Sequence, residues 1–179
     1  MTDAEPPARS PPGGSGPAAA RRGPLHLIVY IDGACSGNPG PCGAAAIVKD
    51  EDGTTLLEKG RAFGPATNNV AEYQALLLGL EAAAALHPAR LTIRSDSELL
   101  VRQLAGQYRI KAPHLKPLHR QALRLLEPFE SVEIQHIPRT ENTEADKLSR
   151  KAMLKARQVD AALPPEARKA PPHKTFRLK

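Results

Sequence analysis

Two cysteines, three tyrosines, three phenylalanines and no tryptophan occur among the 179 residues. No apolar run approaches the ~18 residues of a transmembrane helix, so no membrane span is expected. Both cysteines, Cys35 and Cys42, lie in one loop and form no CxxC pair, which argues against a zinc site. The N-terminal stretch MTDAEPPARSPPGGSGPAAARRG lacks the apolar segment of a secretory signal. Arg21 and Arg22 would suit an organelle-targeting segment, but Asp3 and Glu5 oppose it. The expectation is a cytoplasmic, reducing setting in which both cysteines are free thiols.

Charge is present but unevenly placed. The formal net charge is +6, of which residues 155–179 hold +5 and residues 1–23 hold +1, leaving residues 24–154 neutral. The basic character therefore belongs to the C-terminal end. Residues 1–23, rich in Pro, Gly and Ala, have too little to bury and are expected to be a disordered tail. Residues 158–179 carry four prolines and are expected to be a flexible basic tail, suited to attracting a polyanion or to aiding solubility. Residues 24–157 are long enough for one domain with a real core.

Residues 25–34 read as a buried strand containing an acid, Asp32. The stretch GAAAIVKDEDGTTLLEKGRAFG reads as two strands joined at Asp52-Gly53, a hairpin signal. Its DEDG resembles the start of a calcium loop but lacks the later ligands, so a turn is the better reading. Residues 68–86 switch to helical spacing through Val70, Tyr73, Leu76, Leu77, Leu80 and Ala84. Asn68 or Asn69 is the expected N-cap, and His87-Pro88 the stop. A strand at 90–96, helices at 97–104 and 112–129, a strand at 131–138 and a helix at 142–156 follow. The order β-β-β-α-β-α-α-β-α predicts an α/β fold, a mixed sheet with helices packed on it.

Asp32 and Asp96 both fall at carboxyl ends of strands, where α/β sheets bind ligands. A carboxylate after an apolar strand is costly unless something cationic meets it. Glu72 and Asp146 fall near helix starts, where the helix dipole alone would justify them. Taken singly, each acid suits a structural or solvated role. Gathered at one sheet edge, they would repel unless cations bound between them. Oxygen-only ligands suit Mg²⁺ or Mn²⁺. Two such ions about 4 Å apart can activate water and stabilise the leaving oxygen of a phosphodiester.

The segments DGACSGNPGPCGAA, TNNVAEYQALLLGLEAA, IRSDSELLVRQL and RTENTEADKLSRKA resemble type 1 ribonuclease H in content, order and spacing, over roughly residues 25–154. The resemblance implies a ribonuclease H-like fold with a five-stranded sheet in the order 3-2-1-4-5, its second strand antiparallel to its neighbours. It implies a metal-dependent endoribonuclease that cuts the RNA strand of RNA–DNA hybrids with two Mg²⁺ ions, leaving 5′-phosphate and 3′-hydroxyl ends. Asp32, Glu72, Asp96 and Asp146 match the family's acids: Asp32 would bridge both ions, Glu72 and Asp96 would hold the ion on the nucleophile side, and Asp146 the other. Gly33, Ala34, Cys35, Ser36, Asn38, Gly40, Asn69 and Glu72 match positions that meet the RNA 2′-OH, the chemical mark of RNA in a wide, shallow groove. Thr67 and Asn68 match positions near a DNA phosphate and the minor groove.

The chain also departs from many relatives. It has no Trp and only the short connection GQYRIKAPHLKP where others carry a basic, Trp-rich protrusion, so it resembles the compact archaeal-type branch. Some members of that branch also cut RNA duplexes. Residues 99–126 hold no acid but carry Arg102, Arg109, Lys111, Lys116, Arg120 and Arg124, a basic set suited to the DNA strand or to a solvated helix face. For the auxiliary residue that relatives place before the last acid, Arg139 is favoured and His136 is the alternative. A monomer is expected. A non-catalytic nucleic-acid module would have broken acids, and none is broken. Integrase-like chemistry lacks GNPG and TNN-x-x-E, and a nucleotide-cradling loop would need Gly-Lys-Ser/Thr.

Overall fold

The computed structural model describes residues 25–163. The expected N-terminal tail and most of the basic C-terminal tail lie outside the described residues. Within that range the order is β1 (His26–Cys35), β2 (Gly40–Lys49), β3 (Thr55–Ala66), α1 (Asn68–Ala84), β4 (Arg90–Ser95), α2 (Glu98–Leu104), α3 (Lys116–Leu126), β5 (Ser131–His136) and α4 (Thr143–Ala162). Single 3₁₀ turns at Pro113–Leu115 and Arg139–Glu141 precede α3 and α4. The sheet runs β3-β2-β1-β4-β5. β2 is antiparallel to both of its neighbours, while β1, β4 and β5 are parallel.

β1 alternates rather than being buried throughout. Leu27, Val29 and Ile31 are fully buried, and His26, Ile28 and Tyr30 only partly. The buried set packs with Ala44, Ala46, Val48, Leu91 and Ile93 against Tyr73, Leu76, Leu77 and Leu80 of α1. α3 adds Ala122 to this cluster. The opposite side of the sheet is covered by α4, which crosses β2, β1 and β3 and buries Ala145, Ser149, Ala152 and Ala156. Helices on both sides bury β2 almost completely, while β3 stays largely exposed and β5 partly so.

Local chemistry shifts several expected boundaries. The N-cap of α1 is Thr67, whose Oγ1 accepts from the Val70 N–H; neither Asn68 nor Asn69 caps it. Asp50 closes the DEDG turn, its Oδ1 accepting the N–H groups of Asp52 and Thr54, with Gly53 at φ +82°. α4 continues through Ala162, past the expected end at 156, so the first residues of the expected flexible tail are helical. Cys35 and Cys42 are not free thiols. The β1–β2 register sets them directly opposite each other, with Cα atoms 4.1 Å apart, and they form a disulfide. Pairing across the hairpin brings the two sulfurs together.

Gly43 on β2 permits the close seat of α4. A Cβ there would lie 2.2 Å from the Ser149 carbonyl oxygen and 2.3 Å from the Met153 nitrogen. Both are helix backbone atoms that cannot rotate away. Gly43→Ala is therefore expected to destabilise the protein by about 3 kcal/mol or more, at the upper end of overpacking costs. Chemical denaturation measures this, and a cost below about 1 kcal/mol would show that α4 shifts freely.

Candidate active site at the carboxyl edge of the sheet

The parallel register of β1 and β4 pairs Ile31 with Ser95. Asp32 and Asp96 each follow directly, so they leave adjacent strands at the same level. Glu72 reaches them from α1 because Gly33 has no side chain. A Cβ on Gly33 would lie 2.4 Å from the Ala71 carbonyl carbon and 2.5 Å from the Glu72 nitrogen. Asp146 arrives from the first turn of α4. The start of that helix is held by buried Asn142, whose Nδ2 donates to the Ile31 carbonyl at 2.9 Å and to Asp96 Oδ1 at 3.0 Å. Both neighbours are acceptors, which sets the orientation of the amide.

Burial is the main force on two of the acids. Asp32 is only 4% exposed, and its pKa is raised to about 6. Burial drives that rise, a hydrogen bond from Ser149 opposes it, and the charges of Asp96 and Asp146 add to it. Glu72 is pushed well above the usual carboxylate range, first by burial and then by Asp32 and Asp96; the Gly33 N–H opposes the shift. Its Oε2 is buried with no hydrogen-bond partner. For Asp146, burial would raise the pKa, but hydrogen bonds from Arg139 and Arg150 outweigh it and the net shift is downward.

These groups border a cavity of about 490 Å³ lined by Asp32, Gly33, Glu72, Asp96, Arg139 and Arg150, among others. Asp146 does not line it. Arg139 holds Asp146 Oδ1, and Arg150 holds Oδ2 at 2.9 Å. Among the described residues, no three His, Cys, Asp or Glu side chains are already drawn together as a metal cage. Three of the acids have partners of their own: Ser149 holds Asp32 Oδ2, Asn142 holds Asp96 Oδ1, and the two arginines hold Asp146. The donor set still fits a hard divalent cation. It is all carboxylate, it includes the partnerless oxygen of Glu72, and a cation would offset the cost of holding Asp32 and Glu72 ionised in so buried a place.

The other expected binding residues divide into groups. Ala34, Cys35, Asn68 and Asn69 line the cavity with Gly33. Asn38 does not, since its Oδ1 accepts the Asn68 backbone N–H at 3.1 Å and so ties the hairpin loop to α1. Thr67 spends its hydroxyl on the helix cap. Gly40 is buried in β2, and Ser36 lies in the loop, its N–H bonded to the Pro41 carbonyl. Arg109 and Lys111 line a second cavity of about 600 Å³ with Tyr108, which shares Asn69 with the first. Lys116 lies at the start of α3 and lines neither. Of the two auxiliary candidates, Arg139 faces the acids, whereas exposed His136 ends β5 and is absent from the cavity wall.

Sequence reasoning passed over Asn142, Ser149 and Arg150. All belong to the segment RTENTEADKLSRKA, at four residues before, three after and four after Asp146. That is the spacing of one helix face, so once Asp146 was singled out, helical periodicity alone would have pointed to them.

Comparison with known proteins agrees with this fold. Residues 30–152 match the family described as Reverse transcriptase-like. The chain is 40% identical over 139 residues to Bifunctional protein Rv2228c of Mycobacterium tuberculosis, a match spanning 77% of this chain and 38% of that protein. The chain thus spans well under half the length of that relative. It is similar to the crystal structure of RNase H1 from the halophilic archaeon Halobacterium salinarum, with 39% identity, TM-score 0.71, and coverage of 73% of this chain and 99% of that one. It is also similar to LC11-RNase H1 solved with an RNA/DNA hybrid, with 38% identity, TM-score 0.69, and coverage of 73% and 98%.

Proposed function

The chain belongs to the type 1 ribonuclease H family, and from that premise we propose that it is an endoribonuclease that hydrolyses the RNA strand of RNA–DNA hybrids. The observation that carries this reading is that Asp32, Glu72 and Asp96 line one open cavity with the bare Gly33 backbone, while Arg139, on the same cavity wall, holds Asp146. Asp32, Glu72, Asp96 and Asp146 would hold two Mg²⁺ ions, with Mn²⁺ as a substitute. When bound, such ions supply a more acidic water and charge stabilisation for a departing oxygen.

The chain's own groups do the rest. The Gly33–Cys35 backbone and Asn69 lie along the cavity wall, where hydrogen bonds to a 2′-OH would select RNA. Asn68 is exposed at the start of α1, where the helix dipole favours a DNA phosphate. Arg109, Lys111 and the exposed Tyr108 offer the DNA strand a basic and aromatic surface in place of the missing protrusion. Lys116 would extend that surface. The water gives up a proton as its oxygen bonds to phosphorus, the bond from phosphorus to O3′ breaks, and the 3′ oxygen takes up a proton, so one water is consumed for each bond cut. Arg139 stands where it can neutralise the scissile phosphate or the 5′-phosphate product. The protein acts as a monomer in this reading.

Mg²⁺-dependent cleavage of labelled hybrid, RNA duplex and DNA duplex tests the proposal. RNA-strand cleavage in the hybrid is expected, with DNA duplex untouched and RNA duplex defining the breadth of specificity. In the same assay Arg139→Ala is expected to lower kcat by about 10²-fold, and His136→Ala by less than about 3-fold. An inert wild-type protein would overturn the reading, and a larger loss at His136 would overturn the assignment of the auxiliary role.

A further inference from the structure

Ser149 does not belong to the carboxylate set, yet it is fully buried and its hydroxyl donates to Asp32 Oδ2. It sits on α4 one turn beyond Asp146, and its Oγ also lies 2.9 Å from the Asp146 carbonyl. One hydroxyl carries one proton. The Asp146 carbonyl is already placed to accept a helix N–H, whereas the Asp32 carboxylate is charged and buried, so the carboxylate is the stronger claim on that proton. Carboxylates turn easily about their terminal torsion, which is broad and roughly two-fold. A single hydrogen bond from a buried, helix-mounted donor removes that freedom.

The rigidity of the donor comes from elsewhere in the chain. Gly43 lets the α4 backbone at Ser149 and Met153 press directly on β2. Asn142 pins the start of the same helix to the end of β1 and to Asp96. We infer that Ser149 is a positioning residue for the metal site, which turns the Asp32 carboxylate so that its other oxygen faces the cavity and sets how tightly the site takes a divalent ion. This rests on the ribonuclease H reading for the identity of the ligand, but not for the contact itself. Ser149 touches no substrate in this account; it acts through Asp32.

Calorimetric titration of the full chain with Mn²⁺, without nucleic acid, tests the inference separately from activity. Outer partners of metal ligands typically contribute about 10- to 100-fold in affinity. Ser149→Ala is expected to weaken Mn²⁺ binding about 10-fold and to raise the Mg²⁺ concentration for half-maximal cleavage by a similar factor, with KM for hybrid at saturating Mg²⁺ unchanged. Ser149→Thr, which keeps the donor, is expected to bind Mn²⁺ more tightly than Ser149→Ala. Wild-type Mn²⁺ affinity in the alanine variant would overturn the inference, as would parallel losses of hybrid and metal affinity, the mark of a general packing defect. If wild-type protein cuts no hybrid while the Mn²⁺ difference persists, the ribonuclease reading fails and the Ser149 assignment stands.

Discussion

Replacing Asp32 with Asn is expected to lower hybrid cleavage by roughly 10³-fold or more, about 4 kcal/mol of transition-state stabilisation, while making the metal-free protein more stable. The two effects share one cause. Asp32 is buried at the meeting point of the acids, and its pKa is raised to about 6. Holding it ionised at neutral pH therefore costs folding on the order of 3 kcal/mol, taking 1.36 kcal/mol per pKa unit. Asparagine keeps the shape, accepts the Ser149 hydroxyl and carries no charge, but it gives up the carboxylate best placed to hold a cation. Melting at about pH 7.5 in chelator, beside the hybrid assay, measures both effects. A variant that melts below the wild type would refute the electrostatic account, and a variant that still cleaves would refute the catalytic one.

In chelator, wild-type stability is expected to fall as pH rises from about 4 to about 7, and millimolar Mg²⁺ to restore much of the loss. The sign follows from the raised folded-state pKa values. The folded protein holds the Asp32 proton more tightly than the unfolded chain does. The penalty is thus absent below the ordinary value of 3.8, grows through the interval up to about 6, and is complete above it. Glu72 acts in the same direction. Asp146 opposes them, because its net shift is downward. Its contribution is present above the ordinary carboxylate range and is lost as pH falls through its lower folded value, so it shapes the acid limb instead. A divalent ion held as proposed would bind the ionised acids of the folded state only, so its stabilisation should be larger near pH 7 than near pH 5. Thermal melts across this range, with chelator or Mg²⁺, provide the measurement. A flat metal-free profile would show that the acids do not strain the fold, and Asp32→Asn should flatten the limb visibly.

Strand and helix order was legible because helical spacing sets in after residue 67 and is interrupted by the short apolar runs that become β4 and β5. Element ends were less so. The reading of Asn68 or Asn69 as N-cap failed because Thr67, one residue earlier, also carries a side-chain oxygen and has the extended backbone that a cap requires. The end of α4 was missed because basic and polar residues resemble a tail when only one helix face is buried. The fate of Cys35 and Cys42 depended on strand register, which composition does not encode.

The sequence by itself determined the order of the elements, and the family resemblance, not position at a strand end or helix start, singled out the four acids as candidates. Only the tertiary structure decided why the β1–β2 hairpin carries so little side-chain bulk. Gly33 and Gly43 are empty because the backbones of α1 and α4 occupy the space that a side chain would need, and Asn38 is spent on holding the loop to α1. Tertiary structure likewise made Ser149 and Asn142 partners of Asp32 and Asp96, across 117 and 46 residues of chain. Period and composition act over a few neighbouring residues, whereas these contacts exist only after two helices have been pressed onto a sheet.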